Sequence, residues 1–356
     1  MKLLIAGGGT GGHVFPALAV AREWLSRDEK REVVFVGTQR GMEAKLVPQA
    51  GLPLETIRVG GLKGIRGLRL ARNVAMLLPA FLDAASILLR HRFAAAFGTG
   101  GYAAGPMILA AVWDSLPTVI FEPNAEPGFT NRILAEMVTR VATAYPEPAE
   151  RWGRKAVLTG CPVRREFFAS APRRHAPPYH ILITGGSQGA LVINRTVVDA
   201  LDRFATRKEQ LSIVHQTGER DYNAVRVAYA RREINAEVLP FLSDMPERFA
   251  QADLIVCRAG AITVAEVAAA GRAAIFIPFG RATDSHQLRN AQATAAAGAA
   301  RVITEDELTA ERLATEIFSL LDQPGRIADM EERARALARP RAAEEIVNLI
   351  EQVAQP

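Results

Sequence analysis

The chain holds only two cysteines, Cys161 and Cys257, in 356 residues. Two thiols cannot build a disulfide framework, so the fold must rest on packed cores, and a reducing cytoplasm fits. Long hydrophobic runs are missing too. No stretch of about twenty uninterrupted apolar residues occurs, which argues against a spanning helix. The apolar start Met1–Ala6 yields to glycines at once. It is too short for a signal-peptide core and reads as a first strand. There is no low-complexity tract, so little disorder is expected. No Asp-x-Asp pair and no His/Cys cluster with metal-ligand spacing is present, so no metal or other cofactor is indicated.

What is present is apolar content of 49% and length enough for two domains of ordinary size. The net charge of +5 is unevenly placed. Residues 1–162 carry 19 Lys and Arg against 13 Asp and Glu, whereas 163–356 carry 24 against 25. Within 58–92 the bases Arg58, Lys63, Arg66, Arg69, Arg72, Arg90 and Arg92 face the single acid Asp83. Such a patch suits an anionic membrane surface or a phosphate-bearing substrate, or is a solvated loop. No nucleic-acid motif accompanies it, so nucleic acid is not expected as a partner. In the same region Leu70, Val74, Leu77, Leu78, Phe81, Ala85 and Leu88 fall at helical spacing. That face is either core or, given its basic neighbours, interfacial.

Strand-like and helical runs alternate, which predicts α/β architecture with parallel sheets. Strands are expected at 2–6, 33–37, 54–59, 94–97, 118–121, 141–144 and 156–158. After a Pro-rich stretch, 170–178, the pattern restarts, with strands at 180–184, 212–216, 237–241, 254–257, 274–277 and 301–303. The runs Leu3–Gly12 and Ile181–Gly189 are the same device, a strand, a glycine turn and a helix. Two doubly wound domains, 1–162 and 163–339, follow, and facing each other they would set both turns at one cleft. The last helix, 340–356, could dock on either.

Gly7, Gly9 and Gly12 satisfy G-x-G-x-x-G spacing, which points to a dinucleotide. Its supporting acid should end the second strand, where Val36-Gly37-Thr38-Gln39 has none, so a nicotinamide site is disfavoured. His13 opens the following helix, where the local positive potential lowers its pKa. It reads as a general base or as a solvent-exposed turn residue. Glu122, Asn124 and Glu126 lie in a stiff Pro-containing loop at a strand end, suited to sugar hydroxyls or to a plain surface loop. Arg164 or Arg165 could reach a diphosphate. In Arg258–Glu266 a strand turns through glycine into a helix N-terminus, which offers free N–H groups to an anion. Glu266 there could hold ribose hydroxyls, or the run is an ordinary turn with a solvated Glu. Gln287 and Asn290, at i and i+3, match carbohydrate hydroxyls, although capping by Asp284 or Ser285 explains part of that run.

Taken together, eight motifs in order resemble the MurG family of glycosyltransferases. They are GGGTGGHVFP at Gly7–Pro16, GTGGYAAGP at Gly98–Pro106, EPNAEPGFTNR at Glu122–Arg132, GCPVR at Gly160–Arg164, GGSQGA at Gly185–Ala190, HQTG at His215–Gly218, RAGAITVAEVAAAG at Arg258–Gly271 and HQLRNA at His286–Ala291. The resemblance implies a GT-B fold, two Rossmann-like domains with the last helix packed back on the first. It implies UDP-N-acetylglucosamine as donor and lipid I, the lipid-linked muramyl-pentapeptide, as acceptor. It also implies a place in peptidoglycan synthesis, and hence in cell shape and division, as a peripheral enzyme on the cytoplasmic face of the inner membrane.

By motif match, the donor-binding positions are Thr10, Gly11, Gly12, Asn124, Arg164, Ser187, Leu242 through its backbone, Ala261, Ile262, Thr263, Val264, Ala265, Glu266 and Gln287. His13 matches the proposed base, with Glu126 as a possible helper. Pro123 stands where the family often has Gln, and Cys161 where it often has Asn. The rival readings are a UDP-N-acetylglucosamine 2-epimerase of the same architecture and a non-catalytic sugar-nucleotide or lipid-binding protein. The basic apolar segment 58–92 argues against the first, and the joint presence of His13, Glu266 and Gln287 against the second.

Overall fold

The order of the strands in the sheets sets where function can sit. The computed structural model describes residues 1–59, 76–280 and 285–355. The expected loop 60–67, the start of the 70–90 helix, Lys63, Arg66, Arg69, Arg72 and the Asp284 cap lie outside them.

The chain divides into two compact units, Met1–Val163 with Arg341–Pro356, and Arg164–Pro340. The first holds seven strands: β1 (Lys2–Gly7), β2 (Glu32–Gly37), β3 (Leu54–Thr56), β4 (Ala95–Gly100), β5 (Thr118–Glu122), β6 (Arg140–Thr143) and β7 (Ala156–Leu158). Their order is β3-β2-β1-β4-β5-β6-β7, with every pairing parallel. The second holds β8 (Tyr179–Thr184), β9 (Leu211–Gln216), β10 (Ala236–Leu239), β11 (Leu254–Cys257), β12 (Ala274–Phe276) and β13 (Ala300–Val302). Their order is β10-β9-β8-β11-β12-β13, again parallel throughout.

Both sheets are doubly wound, and the apolar runs explain why. A strand covered by helices on both faces needs apolar residues at every position rather than alternation. Leu3, Leu4, Ile5 and Ala6 are all fully buried, as are Leu254, Ile255, Val256 and Cys257. Ile5 sits between Phe35 and Phe97 in register. Burying each such side chain contributes about 1.5–3 kcal/mol. The strand order reverses at β1/β4 in the first unit and at β8/β11 in the second. Ligands of open α/β sheets bind at such switch points, beyond the carboxyl ends of the strands. The turns after β1, β4, β8 and β11 are the ones that carry the glycine motifs.

The helix Ala342–Ala354 belongs to the first unit. It buries Ile346, Val347, Leu349 and Ile350, and its Glu351 carboxylate pairs with Arg27 at 2.7 Å and Arg31 at 2.6 Å. The Pro-rich stretch is bound to the second unit rather than spanning between units, because the division falls ahead of it. Arg272, fully buried, donates to the Ala171 and Ala250 carbonyls and pairs with Glu331 at 3.0 Å. His175 meets Asp253 at 2.8 Å and Glu331 at 3.6 Å.

Of the apolar stripe on the 70–90 helix, Phe81 and Leu88 pack against the core while Leu77 and Leu78 face solvent. In the helix Leu77–Arg90 the fully buried positions are Ala80, Ala84 and Ile87, with Phe81 and Leu88 packed beside them. Leu78, Leu82 and Leu89 face solvent, at 68%, 58% and 88% exposed. Small residues let this helix approach its neighbour.

Candidate active site

In the first unit the glycine turn runs into a helix that begins at Gly11, so His13 lies inside its first turn rather than opening it. Its N–H donates to the Thr10 carbonyl at 3.1 Å. The half-buried ring is held from the neighbouring strand. Nδ1 lies 2.8 Å from the Thr99 carbonyl oxygen, and the Thr99 hydroxyl donates to the His13 carbonyl at 2.9 Å. A carbonyl can only accept, so Nδ1 carries the hydrogen and Nε2 keeps the lone pair. Burial pushes the imidazole below its ordinary pKa, partly offset by the Thr99 hydrogen bond and the charge of Glu43. The ring is therefore neutral near pH 7, with Nε2 ready to take a proton.

Glycine is obligatory where β4 meets this turn. Gly100 has φ of +92°, and a Cβ there would press within 2.9 Å of the His13 ring. A Cβ at Gly101 would overlap the Gly8 carbonyl. The turn's remaining brace was missed by the sequence reading. Glu43, fully buried at the start of the helix Glu43–Gln49, accepts from the Gly9 N–H at 2.7 Å. It also accepts from the Thr38 N–H and hydroxyl, both at 2.8 Å. The acid sought at the end of β2 thus arrives four residues past Gln39 and points into the turn, not out to a ribose. The signal in the sequence was a Glu set among Gly37, Gly41 and the Gly8 turn, where any side chain would overlap its carboxyl group.

After β5, Glu122 is the hub of its loop. It is fully buried and accepts from the Asn124 N–H and side-chain amide, the Gly128 N–H and the Asn131 amide, all within 3.0 Å. Burial raises its carboxyl pKa against those hydrogen bonds. Asn124 is thus held by Glu122 at its amide nitrogen. Glu126 lies half-buried in the same loop. The carboxylate whose charge bears on His13 is Glu43. Pro123 and Cys161 are both buried, so the departures at these positions change packing first.

In the second unit the turn Gly185–Ala190 is closed without a carboxylate. Gly186 N–H donates to Thr184 Oγ1 at 3.2 Å, and Gln216 Nε2 donates to the Gly186 carbonyl at 3.0 Å. Gly189, at φ +71°, lies so close to the Thr217 carbonyl that a Cβ would overlap it. The HQTG motif is therefore scaffold. His215 is fully buried between Tyr229 and Asn194, and burial depresses its pKa to about 3. Ser187 stands exposed at the tip of this turn.

Across the switch point, the helix Ala261–Ala270 starts from Gly260 with no acidic residue in its first turn. The N–H groups of Ala261, Ile262 and Thr263 precede the first i→i−4 bond, which Val264 makes to Gly260. Glu266 is largely buried, 3.5 Å from Arg164, and desolvation raises its pKa to about 7 against the pull of that guanidinium. Arg164 also lines a shallow pocket of about 320 Å³ with Ser243 and Asp244, next to the buried Leu242. Arg258, the first residue of its motif, is taken up structurally. It pairs with Glu305 at 2.6 Å and donates to the Ile277 carbonyl at 3.1 Å. Gln287 Oε1 accepts from the Phe279 N–H at 3.1 Å, which directs its NH2 elsewhere, and Asn290 ties this helix to the Ala259 carbonyl. Val264 and Ala265 lie on this same helix, with Val264 buried. Ser187, Arg164, the 242–244 loop, the 261–266 helix start and Gln287 thus all belong to one unit, at the carboxyl ends of β8, β10, β11 and β12.

Two family models cover most of the chain: the glycosyltransferase family 28 N-terminal domain at residues 3–143 and its C-terminal domain at 180–346. A relative from Myxococcus xanthus is 45% identical over 352 residues, 98% of this chain and 92% of its own. It is named UDP-N-acetylglucosamine--N-acetylmuramyl-(pentapeptide) pyrophosphoryl-undecaprenol N-acetylglucosamine transferase. This chain belongs to the MurG family of glycosyltransferases. The crystal structure of Acinetobacter baumannii MurG matches with a TM-score of 0.78 at 35% identity, covering 99% of both chains. The fold of the family is thus that of this chain, GT-B, with two Rossmann-like parallel-sheet domains. A Neisseria meningitidis UDP-GlcNAc 2-epimerase also matches, with a TM-score of 0.71 but 13% identity, over 99% of this chain and 100% of its own. That likeness is one of fold alone. Membership in the MurG family rests on sequence, and the epimerase reading is set aside.

Proposed function

We propose that this enzyme transfers N-acetylglucosamine from UDP-N-acetylglucosamine to the C4 hydroxyl of the muramyl sugar of lipid I, making lipid II for the cell wall. The observation that carries this reading is the full-length likeness to a transferase named for that reaction. The first unit is assigned the acceptor and the second the donor. The charge pattern supports this. The turn after β1 already holds a buried carboxylate, whereas the second unit offers a bare helix N-terminus at Ala261–Thr263, the exposed Ser187 and Arg164.

The reaction is an inverting single displacement. His13 Nε2 takes the proton of the acceptor C4 hydroxyl. The oxygen forms its bond to C1 of N-acetylglucosamine as the C1–O bond to the diphosphate breaks, and the electron pair leaves with UDP. Backbone N–H groups of the Ala261–Ala270 helix, Ser187 and Arg164 take up that charge, as preorganised donors do best. Glu266 binds ribose hydroxyls, Leu242 presents backbone to uracil and the Gln287 amide meets the sugar. Thr10, Gly11, Gly12 and Asn124 complete the donor contacts, and Glu126 assists His13.

The enzyme sits peripherally on the anionic, cytoplasmic face of the inner membrane through the 58–92 region. Supporting this, Leu78, Leu82 and Leu89 are exposed beside Arg90, and Trp113 of the adjoining helix Ala104–Trp113 is 83% exposed. Among the described residues no helix is long and apolar enough to cross a membrane. An amphipathic surface with basic neighbours binds by lying in the interface.

UDP release measured with and without a short-chain lipid I analogue tests the activity. Release that does not depend on the acceptor would sink it. Co-sedimentation with vesicles rich in anionic phospholipid tests the membrane reading. Leu78→Glu with Leu82→Glu is expected to lower the bound fraction at least several-fold.

A further inference from the structure

The proposed mechanism leaves one buried ionisable group of the first unit unused. Glu43 has no exposed surface, and among the described residues its three hydrogen bonds all come from donors: Gly9 N–H, Thr38 N–H and Thr38 hydroxyl. That is the set an ionised carboxylate takes. Gly8, Gly37 and Gly41 crowd around it so closely that no side chain fits at any of them. Three glycines cleared for one carboxyl group is a costly arrangement for a merely structural residue, since glycine loses the most conformational freedom on folding. The Thr38 hydroxyl also accepts from the Gly41 N–H at 3.2 Å, so the segment carrying Glu43 is itself pinned.

The turn that Glu43 grips is the one that delivers His13. From Gly9, held by Oε2, the chain passes through Thr10, whose carbonyl starts the helix by accepting from both His13 and Val14. Thr99 and Gly100 clasp the ring from the other side, and neither titrates. Tyr102, half-exposed beside Gly9, is a further ionisable group at this turn. We propose that Glu43 is a positioning residue for catalysis: it closes the glycine turn so that His13 Nε2 is correctly aimed.

The charge effect follows from elementary electrostatics. Burial disfavours the imidazolium, and a nearby negative charge favours it. Glu43 acts in that second sense on His13. Removing the charge lowers the His13 pKa, so the acid limb of a kcat–pH profile moves to lower pH.

The inference rests on the reading of His13 as the base, and two variants separate the two. Glu43→Gln keeps the shape, loses the charge and turns one N–H of the amide against a backbone N–H. Its kcat is expected to fall about tenfold or more, as a weaker and less well-aimed base would give, with a smaller change in the UDP-N-acetylglucosamine KM, since most of the proposed donor contacts lie in the second unit. Its acid limb is expected to move down by about half a pH unit or more. Glu43→Asp keeps the charge but not the reach, so its limb stays near the wild-type position while kcat remains low. Loss of turnover in His13→Ala together with a wild-type kcat and limb in Glu43→Gln overturns this inference alone. Retained turnover in His13→Ala overturns both readings. Should Glu43→Gln fail to fold, Thr38→Val, which deletes one donor to Oε1 and leaves the charge, is read instead. A several-fold fall in kcat without a limb shift supports the inference, and an unchanged kcat overturns it.

Discussion

The two glycine turns, after β1 and after β8, are the same device with opposite electrostatics. In the first, a buried carboxylate grips the turn and a neutral imidazole stands on the following helix. In the second, side-chain amide and hydroxyl groups of Gln216 and Thr184 close the turn, leaving no charge of its own. Across the switch point from it lie a helix N-terminus, Arg164 and Glu266. On the proposed reading, one doubly wound scaffold serves proton transfer in one copy and anion binding in the other. The difference lies in which polar groups fill the space that glycine leaves. Fold similarity therefore says little about chemistry, as the close structural match to an epimerase at 13% identity illustrates.

The largest effect that would break this contrast is on the first turn. His13→Ala is expected to lower kcat by about 10²–10⁴-fold with donor binding changed far less, because general-base catalysis is lost while most of the proposed donor groups lie in the other unit. Single-turnover rates and UDP-N-acetylglucosamine titration read the two separately. Next, Glu266→Ala should weaken donor binding by about 10–100-fold, the scale of a charge-assisted hydrogen bond, with acceptor KM little changed. Its pH dependence sharpens the point. With a pKa raised to about 7, Glu266 is increasingly ionised from pH 6 to 8, so donor affinity should rise over that range. In Glu266→Gln the dependence is expected to be flat. The same shift carries a stability cost, since the folded pKa exceeds the unfolded value: this group's contribution falls as pH rises from 4.5 through 7.

A smaller effect compares glycines within the second turn. Gly189→Ala should destabilise the second unit by about 3 kcal/mol or more, since the methyl meets the Thr217 carbonyl on top of left-handed backbone strain. Gly186→Ala, at φ +88° in open space, should cost only the strain, about 1–2 kcal/mol. Equal losses in urea unfolding would show that sterics do not set this turn. Smallest is the pH dependence of the bound Pro-rich stretch. His175 is raised to about 9, chiefly by its hydrogen bond to Asp253 and then by Glu331. Its stabilisation is full below pH 6.5 and is lost as pH rises through 9, whereas Asp253 and Glu331, both lowered, withdraw theirs on acidification. The unfolding temperature is expected to fall by a few degrees between pH 6.5 and 9, less so in His175→Ala.

Much of the fold was legible in the sequence because buried parallel strands are continuous apolar runs bounded by glycine. Every one of the thirteen expected strands has a counterpart, with ends shifted by a few residues: 54–59 shrinks to Leu54–Thr56, and 94–97 extends to Ala95–Gly100. The helix Leu77–Arg90 was harder. It is apolar on several sides, so periodicity could not say which side was inner, and Ala80 and Ala84 proved more buried than the leucines. Glu43 and Glu122 escaped as hubs for a related reason. A carboxylate in a sequence looks solvated until backbone N–H groups from distant segments are seen to converge on it.

The sequence by itself determined the two α/β halves, the glycine turns and the family, since these depend on local hydrophobicity, local backbone freedom and the order of motifs. Only the tertiary structure decided which polar groups are buried and what each one donates to or accepts from. It gave His13 its tautomer through Thr99, turned Glu43 inward, tied up Arg258 with Glu305 and brought Arg164 to Glu266. The physical reason is that a side chain's protonation state and hydrogen-bonding role are set by neighbours far along the chain, whose approach is fixed only when the sheets pack.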